Sequence, residues 1–234
     1  MFNPIPGPIE VAVYWEKRQN SIAQPELPNH FIVPYGNSPA LFMVFPADRS
    51  QPIQYGFQYS YILGRVLTNY QSKLQYQPPI APQARFQISQ AFNGSFSHTD
   101  KQNRYAVDIM MPFNSPVYAA HDGIVLDIED DYPEAAPLPK ITEANNIRVL
   151  HKDGSMAVYA HLATNSAQVK LGTSVIKGQL LAYTGNSGLL NGPHLHFAVQ
   201  INQGMELVSV PFEFIDAHDQ LITPETGLWL QGYE

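Results

Sequence analysis

Pro25, Pro28, Pro34, Gly36, Pro39, Pro46 and Pro52 follow one another so closely that no long helix can run through the first quarter of this chain. A proline inside a helix removes a hydrogen bond and clashes with the preceding turn, at a cost of about 3 kcal/mol. Ile9 to Glu16, Leu41 to Phe45 and Gln54 to Leu63 read instead as strands, the first alternating with period two over much of its length. The region reads as a small β-sandwich of short, turn-bounded strands. Tyr55, Phe57, Tyr59 and Tyr61 recur every second residue and read as a core-facing stripe in preference to a sugar-stacking platform. Periodicity stops at Tyr76-Gln77-Pro78-Pro79-Ile80-Ala81-Pro82, where crowded prolines favour a stiff extended connector, so the expected domains are 1–78 and 79–234.

Strand signals resume in Ala106 to Ile109, Pro116 to Ala120, Gly123 to Ile128, Asn146 to His151 and Ser155 to His161. Lys152-Asp153-Gly154 joins the last two as a hairpin, since Asp-Gly supplies the positive φ that such turns need. The acidic stretch Glu129 to Pro139 reads as a solvated loop inserted between strands. The expected fold class is all-β.

With 234 residues and 44% hydrophobic content, the chain can bury one large core or two small ones. Thirteen basic residues against 20 acidic give a net charge of −7, which argues against sequence-independent binding to nucleic acid or other polyanions. There is no cysteine, so neither a disulfide framework nor a thiolate metal site can form. No apolar run approaches the ~18 residues of a membrane-spanning helix. Met1 to Pro8 has no basic segment followed by an apolar one, so the expectation for an exported protein is that its signal is missing from this chain.

The chemistry lies further along. In Gly192-Pro193-His194-Leu195-His196-Phe197 two histidines stand two apart in a strand-like run, which puts both imidazoles on one face of a sheet. His98, Asp108 in Tyr105-Ala106-Val107-Asp108, and His161 in Tyr159-Ala160-His161-Leu162 are their candidate partners. Imidazole and carboxylate are the usual zinc ligands where cysteine is lacking, and three of them leave a coordination position for water. Asp108 sits between Val107 and Ile109, a strand-interior setting in which an unpaired carboxylate is costly unless a cation meets it. His30, His121, His151 and His218 have no convergent partners and read as structural or exposed.

The histidine pair, Tyr159-Ala160-His161-Leu162, Val169-Lys170-Leu171-Gly172 with Val175-Ile176-Lys177-Gly178-Gln179, Asp108 followed by Met111-Pro112, and Ala119-Ala120-His121-Asp122-Gly123 together resemble the lysostaphin/LytM-type zinc endopeptidases, which cut peptidoglycan cross-bridges and stem peptides. The resemblance covers roughly residues 85–215 in the family's order, and Phe92 to His98 is similar to members with a small N-terminal β-sandwich domain. It implies an antiparallel β-sheet catalytic domain after the sandwich. It also implies Zn2+ held by His98, Asp108 and His196, with His161 and His194 as unligated catalytic imidazoles. Many relatives carry the first histidine four residues before the aspartate, where this chain has Arg104, so His98 has to reach Asp108 on a longer loop.

The activity implied is metal-assisted hydrolysis of peptide bonds in peptidoglycan. With no H-E-x-x-H sequence to supply a glutamate, the base has to be one of the free imidazoles. The net negative charge favours a periplasmic enzyme acting on direct peptide cross-links over a secreted one attacking glycine bridges. A catalytically silent relative that binds peptidoglycan and activates another wall hydrolase is the alternative. Such members usually lose one or more of the five positions, all of which this chain keeps.

Overall fold

The computed structural model describes residues 1–71, 73–134, 144–188, 192–216 and 218–233, and every regular element among them is a β-strand. They divide into two compact units, Met1–Thr68 with Asn202–Leu207, and Asn69–Ile201 with Val208–Glu234.

In the first unit Ile9–Gln19 pairs antiparallel with both Asn29–Val33 and Gln54–Leu63, and Ser21–Gln24 pairs with Met43–Pro46. The core gathers Ile9, Val11, Val13, Leu27 and Val33, with Trp15, Phe31, Phe42 and Phe57 packed against it. Glu10 is buried at 2% exposure, where Asn202 Nδ2 at 2.8 Å and the Met205 amide at 2.7 Å donate to its Oε2. Those bonds bind Asn202–Leu207 to this unit. Burial alone raises the Glu10 carboxyl, but these two donors and His30 outweigh it and leave it below its ordinary value.

The second unit is built on a nine-stranded sheet. From one edge the strands are Ser174–Val175, Gly123–Glu129, Asn146–Leu150, Met156–Ala160, Leu195–Asn202, Val107–Ile109, Arg85–Gln90 and Trp229–Gln231, and Leu207–Ser209 also pairs with Leu195–Asn202. Ile147, Val149, Tyr159, Phe197 and Val199 are fully buried on one face of its central strands. The other face carries the candidate site residues Asp108 and His196. No helix among the described residues is long and apolar enough to cross a membrane.

The Asp153-Gly154 hairpin forms, with Gly154 at φ 93°. Residues 135–139 of the acidic stretch lie outside the described residues. Two expectations change. Phe57 packs inward, but Tyr55, Tyr59 and Tyr61 are 49, 67 and 54% exposed, because their strand is the outer member of a three-stranded sheet. The boundary expected between residues 78 and 79 falls at Thr68/Asn69. Tyr76 is wholly buried among the rings of His151, Phe197 and Phe212, and Gln75–Tyr76 pairs with Glu213–Ile215, so the proline-rich segment is extended but belongs to the second unit's core.

Candidate active site

Sheet register brings the first two ligand candidates together. Asp108 stands directly opposite His196, and His196 opposite Ala160, one residue before His161. Directly opposed residues share a face, so Asp108, His196 and Ala160 all line one side of the sheet. His194 lies two residues before His196 on that side.

His98 arrives differently. Ser89 and Gln90 end one strand, Val107 opens the next, and the chain between them turns repeatedly. Asn93 donates to Arg104 O at 2.7 Å, and the His98 amide donates to Gly94 O at 3.0 Å. Asp100 Oδ1 accepts from the amides of Gln102 and Asn103, the self-closing turn that aspartate favours. The excursion delivers His98, almost fully buried, with Nε2 at 3.2 Å from Asp108 Oδ1.

His196 Nδ1 lies 2.8 Å from the same oxygen, and ligand atoms of His98, Asp108 and His196 all fall within 4.8 Å of one another. Each donor is oriented from behind. The Ala91 carbonyl, 2.9 Å from His98 Nδ1, can only accept, so that nitrogen carries the proton and Nε2 keeps its lone pair. Asn103 Oδ1 lies 3.1 Å from His196 Nε2, and Asn103 Nδ2 is committed to Asp100, so Nδ1 is the nitrogen left to a cation. Gln90 Nε2 donates to Asp108 Oδ2 at 2.9 Å and leaves Oδ1 at the centre. Metal-ligating imidazoles are held in this way, with the far ring nitrogen tied to an acceptor. Two neutral nitrogens and one carboxylate oxygen, all backed by hydrogen bonds, suit a divalent ion such as zinc.

Electrostatics agree with the geometry. Burial raises the Asp108 carboxyl, but the hydrogen bonds and charges of His196 and His98 overcome it and hold the group far below the carboxylate range. Burial lowers His98, yet pairing with Asp108 wins and raises it. In the absence of a cation, the carboxylate draws a proton onto His98.

His161 and His194 stand side by side, ring centroids 4.8 Å apart, and His161 is 5.8 Å from His196. His161 has a positive φ of 64° and donates Nδ1–H to Ser187 O at 2.9 Å. His194 donates Nδ1–H to Gly192 O at 3.0 Å, and its Nε2 is 3.8 Å from Asp108 Oδ1. Burial first, then the two neighbouring imidazoles, push the His161 pKa down to about 3, so the ring is neutral at pH 7 with a lone pair on Nε2. Asp108, His161, His194 and His196 line one open cleft of about 990 Å3, whereas His98 is buried and outside that lining.

Gln90 and Ser187 escaped sequence reasoning, because glutamine and serine carry no signal until a fold shows what they touch. Asn103 stood in the loop between His98 and Asp108, but nothing local pointed it at His196. His151 is buried and donates Nδ1–H to Asp122 O at 2.7 Å, while His218 is exposed.

A β-sheet that presents paired imidazoles and a buried aspartate in an open cleft is the arrangement of a lysostaphin/LytM-type peptidase. Residues 102–207 match Peptidase family M23. Peptidoglycan DD-endopeptidase ShyA of Vibrio cholerae is 34% identical over 90 residues, 38% of this chain and 18% of that protein. Glycyl-glycine endopeptidase ALE-1 of Staphylococcus capitis is 32% identical over 101 residues, 43% of this chain and 25% of that protein. A zinc containing peptidase from Vibrio cholerae, known from its crystal structure, is similar at 27% identity and a TM-score of 0.43, over 58% of this chain and 39% of that one. The chain spans less than a third of the length of the curated relatives it matches, 18% of one and 30% of another.

Proposed function

We propose that this protein is a zinc-dependent endopeptidase that hydrolyses peptide bonds in the cross-links or stem peptides of bacterial peptidoglycan, acting in the periplasm. The observation that carries the reading is the convergence of His98 Nε2 and His196 Nδ1 on Asp108 Oδ1, with two further imidazoles beside them in the same cleft. His98, Asp108 and His196 would hold the metal. When bound, zinc lowers the pKa of a coordinated water toward about 7 and polarises the scissile carbonyl.

The protein's own groups manage the protons. His161, neutral and tied at Nδ1 to Ser187, offers Nε2 as the acceptor for the proton of the attacking water. The imidazolium so formed returns that proton to the leaving amine. His194 presents a second Nε2 next to it, from which a protonated ring can donate to the developing oxyanion. Gln90 and Asn103 hold Asp108 and His196 in place through the cycle.

The test pairs zinc stoichiometry with digestion of purified peptidoglycan. One zinc per chain and release of cross-link fragments, both lost in His196→Ala, are expected. Full zinc with intact peptidoglycan would instead indicate a binding or regulatory member of the family. Cleavage of pentaglycine with no action on directly cross-linked muropeptides would contradict the choice of substrate.

A further inference from the structure

The cleft continues along the sheet beyond the histidines. His196 faces Ala160 and Ala160 faces Asn146; one same-face step along, Ala198 faces Val158 and Val158 faces Arg148. Arg148 therefore lies two strands across and two residues along from His196, roughly 10 Å by 7 Å from sheet spacings. That is about three residues of extended peptide. Among the described residues lining the cleft it is the one lysine or arginine, in company with Asp100 and Asp108.

Its charge is largely buried and incompletely matched. Nη1 donates to Gln200 Oε1 at 2.6 Å, and Asp127 Oδ2 stands 3.9 Å from Nε, beyond hydrogen-bonding distance. Gln200 is itself buried and fixed by donating Nε2 to Gln102 O at 2.9 Å, so the guanidinium is held from one side. A guanidinium is a planar fork whose geometry matches a carboxylate bidentately. Here Nη1 is the one nitrogen of that fork held by a hydrogen bond among the described residues, and the side chain, 16% exposed, lines the cleft.

We propose that Arg148 recognises a free carboxylate on the peptide bound in this cleft, within about three residues of the scissile bond. The inference rests on the cleft being the peptide-binding site proposed above. It defines a substrate chemistry: a stem peptide with its carboxylates free is matched, whereas a bridge of uncharged glycine leaves the fork without a partner.

The probe is a purified, directly cross-linked muropeptide, used as isolated and after chemical amidation of its carboxylates. Turnover is measured on the zinc-loaded wild type, and binding by calorimetry on zinc-loaded His161→Ala, which keeps all three proposed metal ligands. Amidation should weaken binding about 10- to 100-fold, the range for a hydrogen-bonded charged pair. In the wild type it should appear in KM with little change in kcat. Adding Arg148→Met should abolish the difference between the two forms, and Arg148→Lys should restore part of it. Equal binding of both forms to the Arg148 protein would overturn the inference without need of a variant, and so would an undiminished preference in Arg148→Met. If the preference depends on Arg148 while the wild type releases no fragments, carboxylate recognition stands and the endopeptidase reading falls.

Discussion

The two sides of the proposed metal centre are made in different ways. Asp108 and His196 sit opposite each other on paired strands, so the same backbone hydrogen bonds that build the sheet also set their separation. His98 is carried by an irregular excursion and reaches the same oxygen only through local props: the Ala91 carbonyl behind its ring, Gln90 beneath Asp108, and the Asp100 turn that closes the loop. A ligand on a strand comes at almost no extra entropic cost once the sheet forms. A ligand on a loop needs its own set of interactions to offset the freedom it loses.

That contrast can be broken most forcefully at its shared atom. Asp108→Ala removes the oxygen on which both sides converge, and activity on peptidoglycan should fall on the order of a thousandfold or more. Metal analysis by mass spectrometry should show the zinc lost as well.

The props come next. Gln90→Ala should weaken zinc binding about 10- to 100-fold, the usual cost of removing an outer partner of a metal ligand. Gln90 also accepts from the Phe96 amide at 3.0 Å, so hydrogen exchange across residues 94–105 should speed up. Asn103→Ala should cost zinc affinity in the same range without loosening the paired strands. Equal exchange in Gln90→Ala and wild type would show that the loop does not depend on this glutamine.

Gly94→Ala probes the loop without touching a ligand. A Cβ there would stand 2.2 Å from Gln90 Cγ, so the loop or the glutamine has to shift, at a cost of about 1–3 kcal/mol. Denaturant melts should register this, together with weakened zinc binding. The same substitution at Gly192, where a Cβ meets nothing within 4 Å, would be strained only by its φ of 129°.

The smallest effect lies away from both sides and serves as a control. Burial pushes the His151 pKa down to about 4 from its ordinary 6.5, while the hydrogen bond to Asp122 resists. Above pH 6.5 the ring is neutral whether folded or unfolded. As pH falls from 6.5 to about 4 the unfolded chain takes up the proton first, so stability drops by at most about 1.4 kcal/mol per pH unit and then levels off. His151→Asn, which can keep a donor toward Asp122, should flatten this part of the stability curve at constant zinc.

Much of the strand pattern was legible. Gln54–Leu63 emerges with the bounds that its turn-bounded β-rich run implied, and the Asp153-Gly154 turn closes the hairpin expected of it. Both signals are local. Tyr55, Tyr59 and Tyr61 misled for the opposite reason: period two shows that side chains share a face, but not whether another layer covers it. The prolines at 78 and 79 misled in the same way, since an extended backbone is equally at home in a linker and in a buried wall. The five histidine and aspartate positions could be singled out because the family pattern orders them and because Asp108 and His196 fall in strand-like runs.

Sequence alone determined the chemistry on offer: no thiols, an aspartate and four imidazoles, and a family pattern that puts them in order. Only the tertiary structure decided that His98, ten residues upstream of Asp108, comes within 3.2 Å of its carboxylate, that each imidazole turns a particular nitrogen inward, and that Arg148 shares the cleft. Residue type is a property of one position, whereas which atoms face each other depends on sheet register, loop closure and hydrogen bonds between positions as far apart as Asp108 and His196.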